Sequence, residues 1–218
     1  MKIQQFIKSL NNTEIGRGNT NECYVRVPKA CHKIHNIFDS SNLQPTFYDK
    51  KNGSKIESIH ITIGSEFRIN GLGDYYRDQN AHAGDEIVFE RIDENGMINF
   101  FLDIHNAIDS ITFQKNSKGF EVLNPDRLPE LSLIPQLLNK TKYSNVIGEL
   151  KVEFKESDFK RSDSPEKTDF YNLLFNDSNL LDQFKNKECL NLSYSQTQSQ
   201  PTLKKTVIWQ FYEFTIKK

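Results

Sequence analysis

Two of the three Asn-Gly dipeptides in this 218-residue chain, Asn52-Gly53 and Asn95-Gly96, fall between runs of alternating apolar and polar residues. Few sequence signals constrain topology so tightly. Both residue types tolerate positive φ, the tight hairpin turn requires it, and the turn forces its flanking strands together antiparallel. Residues 47–48 and 57–63 flank the first turn, and residues 86–92 and 97–104 flank the second. A third hairpin is expected between residues 111–113 and 120–122, around Asn116-Ser117-Lys118-Gly119. Residues 22–28 alternate in strand fashion and stop at Pro28, and residues 66–70 form a further strand that Gly71-Leu72-Gly73 breaks. Ala30, Ile34, Ile37 and Phe38 recur at helical spacing, which predicts one short amphipathic helix over 29–38. Short strands in such number, with so few helices, predict a closed or nearly closed antiparallel barrel over the first 125 residues.

Beyond that point the pattern changes. Pro125, Pro129 and Pro135 mark a connector, assigned to residues 126–145, with a brief helix near 134–138. Then come a strand at 146–154, a charged loop at 155–167, short helices around 169–175 and 180–184, and strands at 189–194 and 206–216. The expected division is a barrel at 1–125, the connector, and a small α+β unit at 146–218. Ending on a strong strand, the chain reads as a piece of something longer.

Composition narrows the function. Hydrophobic residues make up only 36%, but sixteen Phe and eight Tyr bury a large area per residue. With no run of eighteen apolar residues, no membrane span is expected. Cys23, Cys31 and Cys189 cannot all pair and form no ligand-spaced set, which points to a reducing cytoplasm and to neither metal nor cofactor. Net charge is −1, but residues 1–60 hold nine Lys/Arg against five Asp/Glu, whereas residues 81–125 hold three against eight. Such polarity would offer phosphates one basic face; it is also what ordinary fluctuation along a sequence produces.

Two glycine-relaxed polar stretches stand out. The first, Gly16-Arg17-Gly18-Asn19-Thr20-Asn21-Glu22-Cys23-Tyr24-Val25-Arg26-Val27-Pro28, places donors and acceptors ahead of a strand. Arg17 can grip a guanine edge bidentately, and Asn19 or Asn21 an adenine. Taken by composition alone, the stretch reads first as an ordinary polar loop capped by glycines. The second, Glu66-Phe67-Arg68-Ile69-Asn70-Gly71-Leu72-Gly73-Asp74-Tyr75-Tyr76-Arg77-Asp78, repeats the design and is followed by Ala83-Gly84-Asp85-Glu86-Ile87-Val88-Phe89.

In this order the segments resemble the B3-like DNA-binding domains of restriction enzymes, such as the EcoRII effector domain and the DNA-binding domain of BfiI. Most of all they resemble the DNA-recognition region of the McrB-like subunit of LlaJI-type systems. The likeness covers residues 10–125 and implies a seven-stranded open pseudobarrel whose two arms clasp the major groove of double-stranded DNA. It further implies a bacterial recognition module with no catalysis of its own, joined to a GTP-hydrolysing AAA+ motor and a nuclease subunit. Carried over, Arg17, Gly18, Asn19, Thr20 and Asn21 form the N-arm. Asn70, Gly71, Leu72, Gly73, Asp74, Tyr75 and Arg77 form the C-arm. Arg26, Lys50, Lys51 and Lys55 become phosphate contacts, which position without reading sequence.

Other chemistries compete. Pro125-Asp126 followed by Glu149-Leu150-Lys151 fits a loose metal-dependent nuclease pattern, in which two carboxylates hold Mg²⁺ beside a lysine. Asp126 lies among prolines, however, and Glu149 and Lys151 alternate with Glu153 and Lys155 as a plain solvent-facing stripe does. Cys31-His32-x-x-His35 lacks the partner pair of a zinc site. Tyr75 and Tyr76, if exposed, would suit a peptide-binding module instead.

Overall fold

The computed structural model describes residues 1–17, 22–31, 37–38, 45–159, 167–194 and 200–216. The chain is mainly β, in curled open sheets. It divides into two compact units, Met1–Asn106 with Trp209–Lys218, and Ala107–Ile208. Among the described residues no helix is long and apolar enough to cross a membrane.

The first unit contains β1 (Lys2–Ser9), β2 (Tyr24–Val27), β3 (Phe47–Asp49), β4 (Lys55–Ile56), β5 (His60–Ile63) and β6 (Phe67–Asn70). Helix α1 (Gly73–Asp78), β7 (Glu86–Glu94) and β8 (Met97–His105) follow. The chain's final strand, Trp209–Thr215, returns to pair with β1 from Lys2↔Thr215 to Lys8↔Trp209. A six-stranded sheet runs final strand–β1–β7–β8–β3–β4, and a three-stranded sheet runs β2–β6–β5. The Asn95-Gly96 turn joins β7 to β8 with φ of +54° and +80°, the mirror-image turn that its sequence demands. At Asn52-Gly53 the expected hairpin also forms, but β3 pairs with Lys55–Ile56. Residues 60–63 pair instead with β6 in the other sheet.

Phe38 joins the two sheets. Its ring lies 5.5 Å from Phe89 on β7 and 5.9 Å from Phe67 on β6, centroid to centroid. Around it Phe6, Val25, Ile69, Ile87 and Leu102 complete one buried cluster. Residues 29–31 begin the expected helix; His32, Ile34 and His35 lie outside the described residues. Strand β1 escapes a reading by alternation because its buried face carries Gln4 and Lys8 beside Phe6. Those polar groups are satisfied: the Gln4 amide donates to Glu213 at 2.9 Å and the Lys8 ammonium pairs with Glu14.

The second unit comprises β9 (Ser110–Lys115), β10 (Phe120–Val122), β11 (Thr141–Tyr143), β12 (Val146–Gly148), β13 (Leu150–Phe159), β14 (Lys167–Phe175), β15 (Ser178–Asn179), β16 (Cys189–Ser193) and β17 (Thr202–Thr206). Its sheet runs β12–β11–β17–β16–β9–β10–β14–β13, with β15 on β14. Ile111, Phe113, Phe120, Leu173, Leu190 and Leu192 lie fully buried in its core. Two of the three prolines sit where a missing N–H costs least: Pro125 opens a 3₁₀ helix at Pro125–Leu133 and Pro135 stands in the first turn of α2 (Pro135–Leu138), whereas Pro129 lies inside the 3₁₀ helix.

Three sequence readings change here. The charged loop expected at 155–167 is strand as far as Phe159, because β13 pairs with β14 from Leu150↔Phe175 to Phe159↔Lys167. The helix expected around 169–175 is strand β14. Phe170 and Leu173 do fall three apart, but nine pairings with β13 and two with β10 override that spacing. The domain boundaries move as well. The hairpin of β9 and β10 belongs to the second unit, because β9 pairs with β16 from Ser110↔Ser193 to Gln114↔Cys189. The last strand, β18 (Trp209–Thr215), belongs to the first. The compact units are therefore not the expected 1–125 barrel, 126–145 connector and 146–218 domain.

Candidate nucleic-acid interface

Strand alternation builds one polar surface in the first unit. On β2 and β6 the side chains of Val25, Val27, Phe67 and Ile69 point into the core, so Tyr24, Arg26, Arg68 and Asn70 occupy the opposite face. The register sets Tyr24, Asn70 and His60 in one row and Arg26, Arg68 and Thr62 in the next. Asn70 donates its amide to the Thr62 hydroxyl at 2.9 Å. The Arg68 guanidinium lies 4.6 Å over the Tyr24 ring and donates to Glu66 through Nε and Nη2, at 3.0 and 2.8 Å. Glu66 also forms an ion pair with the Arg26 guanidinium, at 3.2 Å. Beside this face opens a cleft of about 550 Å³, lined by Glu22, Cys23, His60, Thr62, Arg68 and Asn70 among others.

The roots of both arms meet at this cleft. Ile15 and Cys23 bridge across the base of the N-arm, and the Leu72 N–H of the C-arm donates to the Cys23 carbonyl at 3.4 Å. Glu14, buried, fixes the N-arm root. Its carboxylate accepts from the Lys8 ammonium, from the Arg26 N–H at 3.1 Å and from the Asn11 N–H at 3.3 Å. Arg17 is exposed, and Gly18, Asn19, Thr20 and Asn21 lie outside the described residues. In the C-arm, Gly71 has φ +78°, and a Cβ there would overlap the Ser58 carbonyl, so no other residue fits. The Ser58 hydroxyl donates to the Gly71 carbonyl at 2.6 Å and fastens the turn.

The C-arm then departs from the expected loop. Residues 73–78 form α1, and Leu72, Tyr75 and Tyr76 turn into the core. Leu72 is 0% and Tyr75 4% exposed, so neither can touch a base edge, a correction to their expected role. Their apolar bulk is worth more inside than out. Burial pushes both phenol pKa values up. The same burial removes the exposed aromatic pair on which a peptide-binding face would depend. Asp74 and Arg77 do reach solvent, paired with each other across one turn. Of the expected phosphate contacts, Arg26 lies on the polar face. Lys50, Lys51 and Lys55 lie in and beside the β3–β4 hairpin of the other sheet. Their ammonium groups pair with Glu90 at 2.8 Å, Asp103 at 3.3 Å and Glu57 at 2.6 Å.

Sequence reasoning missed Tyr24, His60, Thr62, Glu66 and Arg68 as members of one surface. The signal was present in the period-two alternation of His60-Ile61-Thr62-Ile63 and Phe67-Arg68-Ile69-Asn70; their pairing was not. Burial raises the Cys23 thiol pKa, so the cleft holds a thiol rather than a thiolate at neutral pH. In the second unit, Asp126 lies in the 3₁₀ helix, whereas the Lys151 ammonium is bonded to Asp177 at 2.7 Å and Glu149 at 3.2 Å. Those bonds raise its pKa and keep it protonated. Among the described residues no group of three or more His, Cys, Asp or Glu side chains gathers to hold a metal ion. No protein-family model matches the sequence, and no curated protein matches it closely enough to count as a relative.

Proposed function

We propose that the first unit is a B3-like, sequence-specific binder of double-stranded DNA that serves as the target-recognition module of a restriction system. One observation carries the reading: β2 pairs with β6 so that the roots of two glycine-relaxed arms stand side by side at the edge of a polar face bearing two arginines. Arms rooted on paired strands keep a fixed spacing, and base edges are read only by groups held in register. A short helix, α1, precedes the turn Ala83-Gly84-Asp85 into β7, in the order that the resemblance implies. In this reading β2–β8, the seven strands of the first unit within residues 10–125, supply the open pseudobarrel, and β1 and β18 are additions to its edge. Arg26 and Arg68 meet phosphates, while Asn70, Asp74 and Arg77 face the groove with the N-arm residues 17–21. Catalysis belongs to other domains or subunits, an AAA+ GTPase and a nuclease, acting in a reducing cytoplasm.

The experiment is selection from a randomised duplex pool with the purified chain, followed by sequencing of the bound fraction. A recovered motif whose binding falls steeply with added salt is the expected result. A bound fraction indistinguishable from the input, at low salt as well as high, would refute the proposal.

A further inference from the structure

The two arginines of the polar face are not presented bare. Glu66 sits between them, immediately before β6, and each of its carboxylate oxygens is engaged. One forms an ion pair with Arg26 Nη2 at 3.2 Å, and the other accepts from Nε and Nη2 of Arg68 at 3.0 and 2.8 Å. This is the arrangement in which guanidinium groups grip a phosphate, with a carboxylate in the phosphate's place. The arginines stay reachable, at 59% and 37% side-chain exposure, whereas the carboxylate between them is at 28%. Glu22 lies near enough to act on Arg68 through space as well. Stacking on Tyr24 holds the Arg68 plane where it is, so the guanidinium need not move for one anion to replace another.

We infer that Glu66 is an internal stand-in for phosphate, which occupies Arg26 and Arg68 until a duplex displaces it and thereby sets the discrimination between specific and non-specific DNA. The inference rests on the DNA-binding reading. A phosphate arriving alone must break two hydrogen bonds from Arg68 and the ion pair with Arg26 to make equivalent ones, so it gains little. A duplex whose bases also engage the arms supplies the surplus. Non-specific binding, which is almost wholly electrostatic, is suppressed more than specific binding.

Three forms of the full chain test this: wild type, Glu66→Gln, and Glu66→Asp as the charge-retaining control. Phenylglyoxal labelling with peptide mapping reads the accessibility of Arg26 and Arg68 without DNA. Fluorescence anisotropy then compares the selected duplex with a scrambled one at two salt concentrations. Glu66→Gln should label several-fold faster at both arginines and bind the scrambled duplex about fivefold tighter, and the selected one about twofold tighter. Its salt slope should steepen by about one unit, one more phosphate neutralised. Glu66→Asp should stay near wild type. Unchanged labelling in Glu66→Gln, or weaker binding to the scrambled duplex, would overturn the inference. Faster labelling with no duplex bound by any form would instead overturn the DNA reading and leave the Glu66 clamp standing.

Discussion

The two arms are rooted within a hydrogen bond of each other, yet they are held by opposite physics. The N-arm root depends on a buried ionic knot, in which Glu14 takes the Lys8 ammonium and the Arg26 and Asn11 N–H groups. The C-arm depends on apolar burial, with Leu72, Tyr75 and Tyr76 packed into the core beneath the six-residue helix α1. An ionic knot is all-or-nothing, because losing one member strands a charge in a poor solvent. Apolar burial fails gradually, in proportion to the atoms removed. One arm is therefore fixed in direction by few strong bonds, the other in position by many weak contacts.

The largest expected effect breaks the knot. Glu14→Ala leaves the Lys8 ammonium buried and unpaired and orphans the Arg26 N–H on β2, which should cost about 3–5 kcal/mol in urea unfolding. Lys8→Met combined with Glu14→Leu removes both charges and should recover part of the loss, while the Arg26 N–H stays stranded. A Glu14→Ala cost no larger than that of a surface substitution would show that the knot does not hold the arm.

On the other side, Leu72→Ala should cost about 2–4 kcal/mol, since Leu72 is fully buried and a cavity remains beneath α1. The contrast sharpens if Leu72→Met is nearly neutral, because volume is what matters there. Glu14→Gln, a change of similar size, should still be costly. Equal tolerance of the two conservative changes would erase the distinction.

Alkali should separate the arms next. Burial raises the phenol pKa values of Tyr75, which Asp49 and Asp103 push further, and of Tyr76. In the unfolded chain both ionise near pH 10. Above that pH the unfolded state binds fewer protons than the folded one, so stability falls as pH rises. The slope is about 1.4 kcal/mol per pH unit for each tyrosine, until the folded phenols ionise too. Below about pH 9 they contribute no pH dependence. Urea unfolding at pH 8 and pH 11 should show a smaller loss in the Tyr75→Phe/Tyr76→Phe variant than in wild type. An unchanged loss would place the alkaline sensitivity elsewhere.

These same residues show what the sequence made legible. Strands and turns governed by local chemistry were readable: Asn95-Gly96, flanked on both sides by alternating runs, read as a hairpin, and Gly71 announced a turn that only glycine can make. Long-range pairing was not. Nothing local reveals that Trp209–Thr215 closes on Lys2–Ser9, or that residues 60–63 join β6 rather than β3. Strand β14 carried apolar residues at a helical interval and was decided by its neighbours. The arms were found as segments because glycine and asparagine mark them. Which side chains face outward depended on a helix too short to leave a periodic trace, so Leu72 and Tyr75 passed as readers. Glu14 and Glu66 look like any other acids until the strands bring basic groups to them.

The smallest expected effect on stability lies at the tip of the C-arm, and there the comparison turns from folding to recognition. Asp74 and Arg77 pair one turn apart on α1, with 77% and 73% of their side chains exposed. Water and salt screen such a pair, so Asp74→Ala should change stability by less than about 0.5 kcal/mol. Breaking the pair nevertheless frees the only partner that the structure gives the Arg77 guanidinium in a hydrogen bond among the described residues. If α1 faces the groove, Arg77→Ala should cost about 1–3 kcal/mol on a selected duplex and little on a scrambled one, as loss of a base contact does. Arg26→Ala should weaken the selected duplex more than the scrambled one, which gains little from a guanidinium that Glu66 holds. Unlike Arg77→Ala, it should lower the salt slope on the selected duplex by about one unit. Anisotropy at two salt concentrations measures all three variants. If Arg77→Ala bound both duplexes like wild type while its stability was also unchanged, the C-arm would be a rigid turn with no part in reading sequence. The polar face would then have to find its selectivity in the N-arm alone.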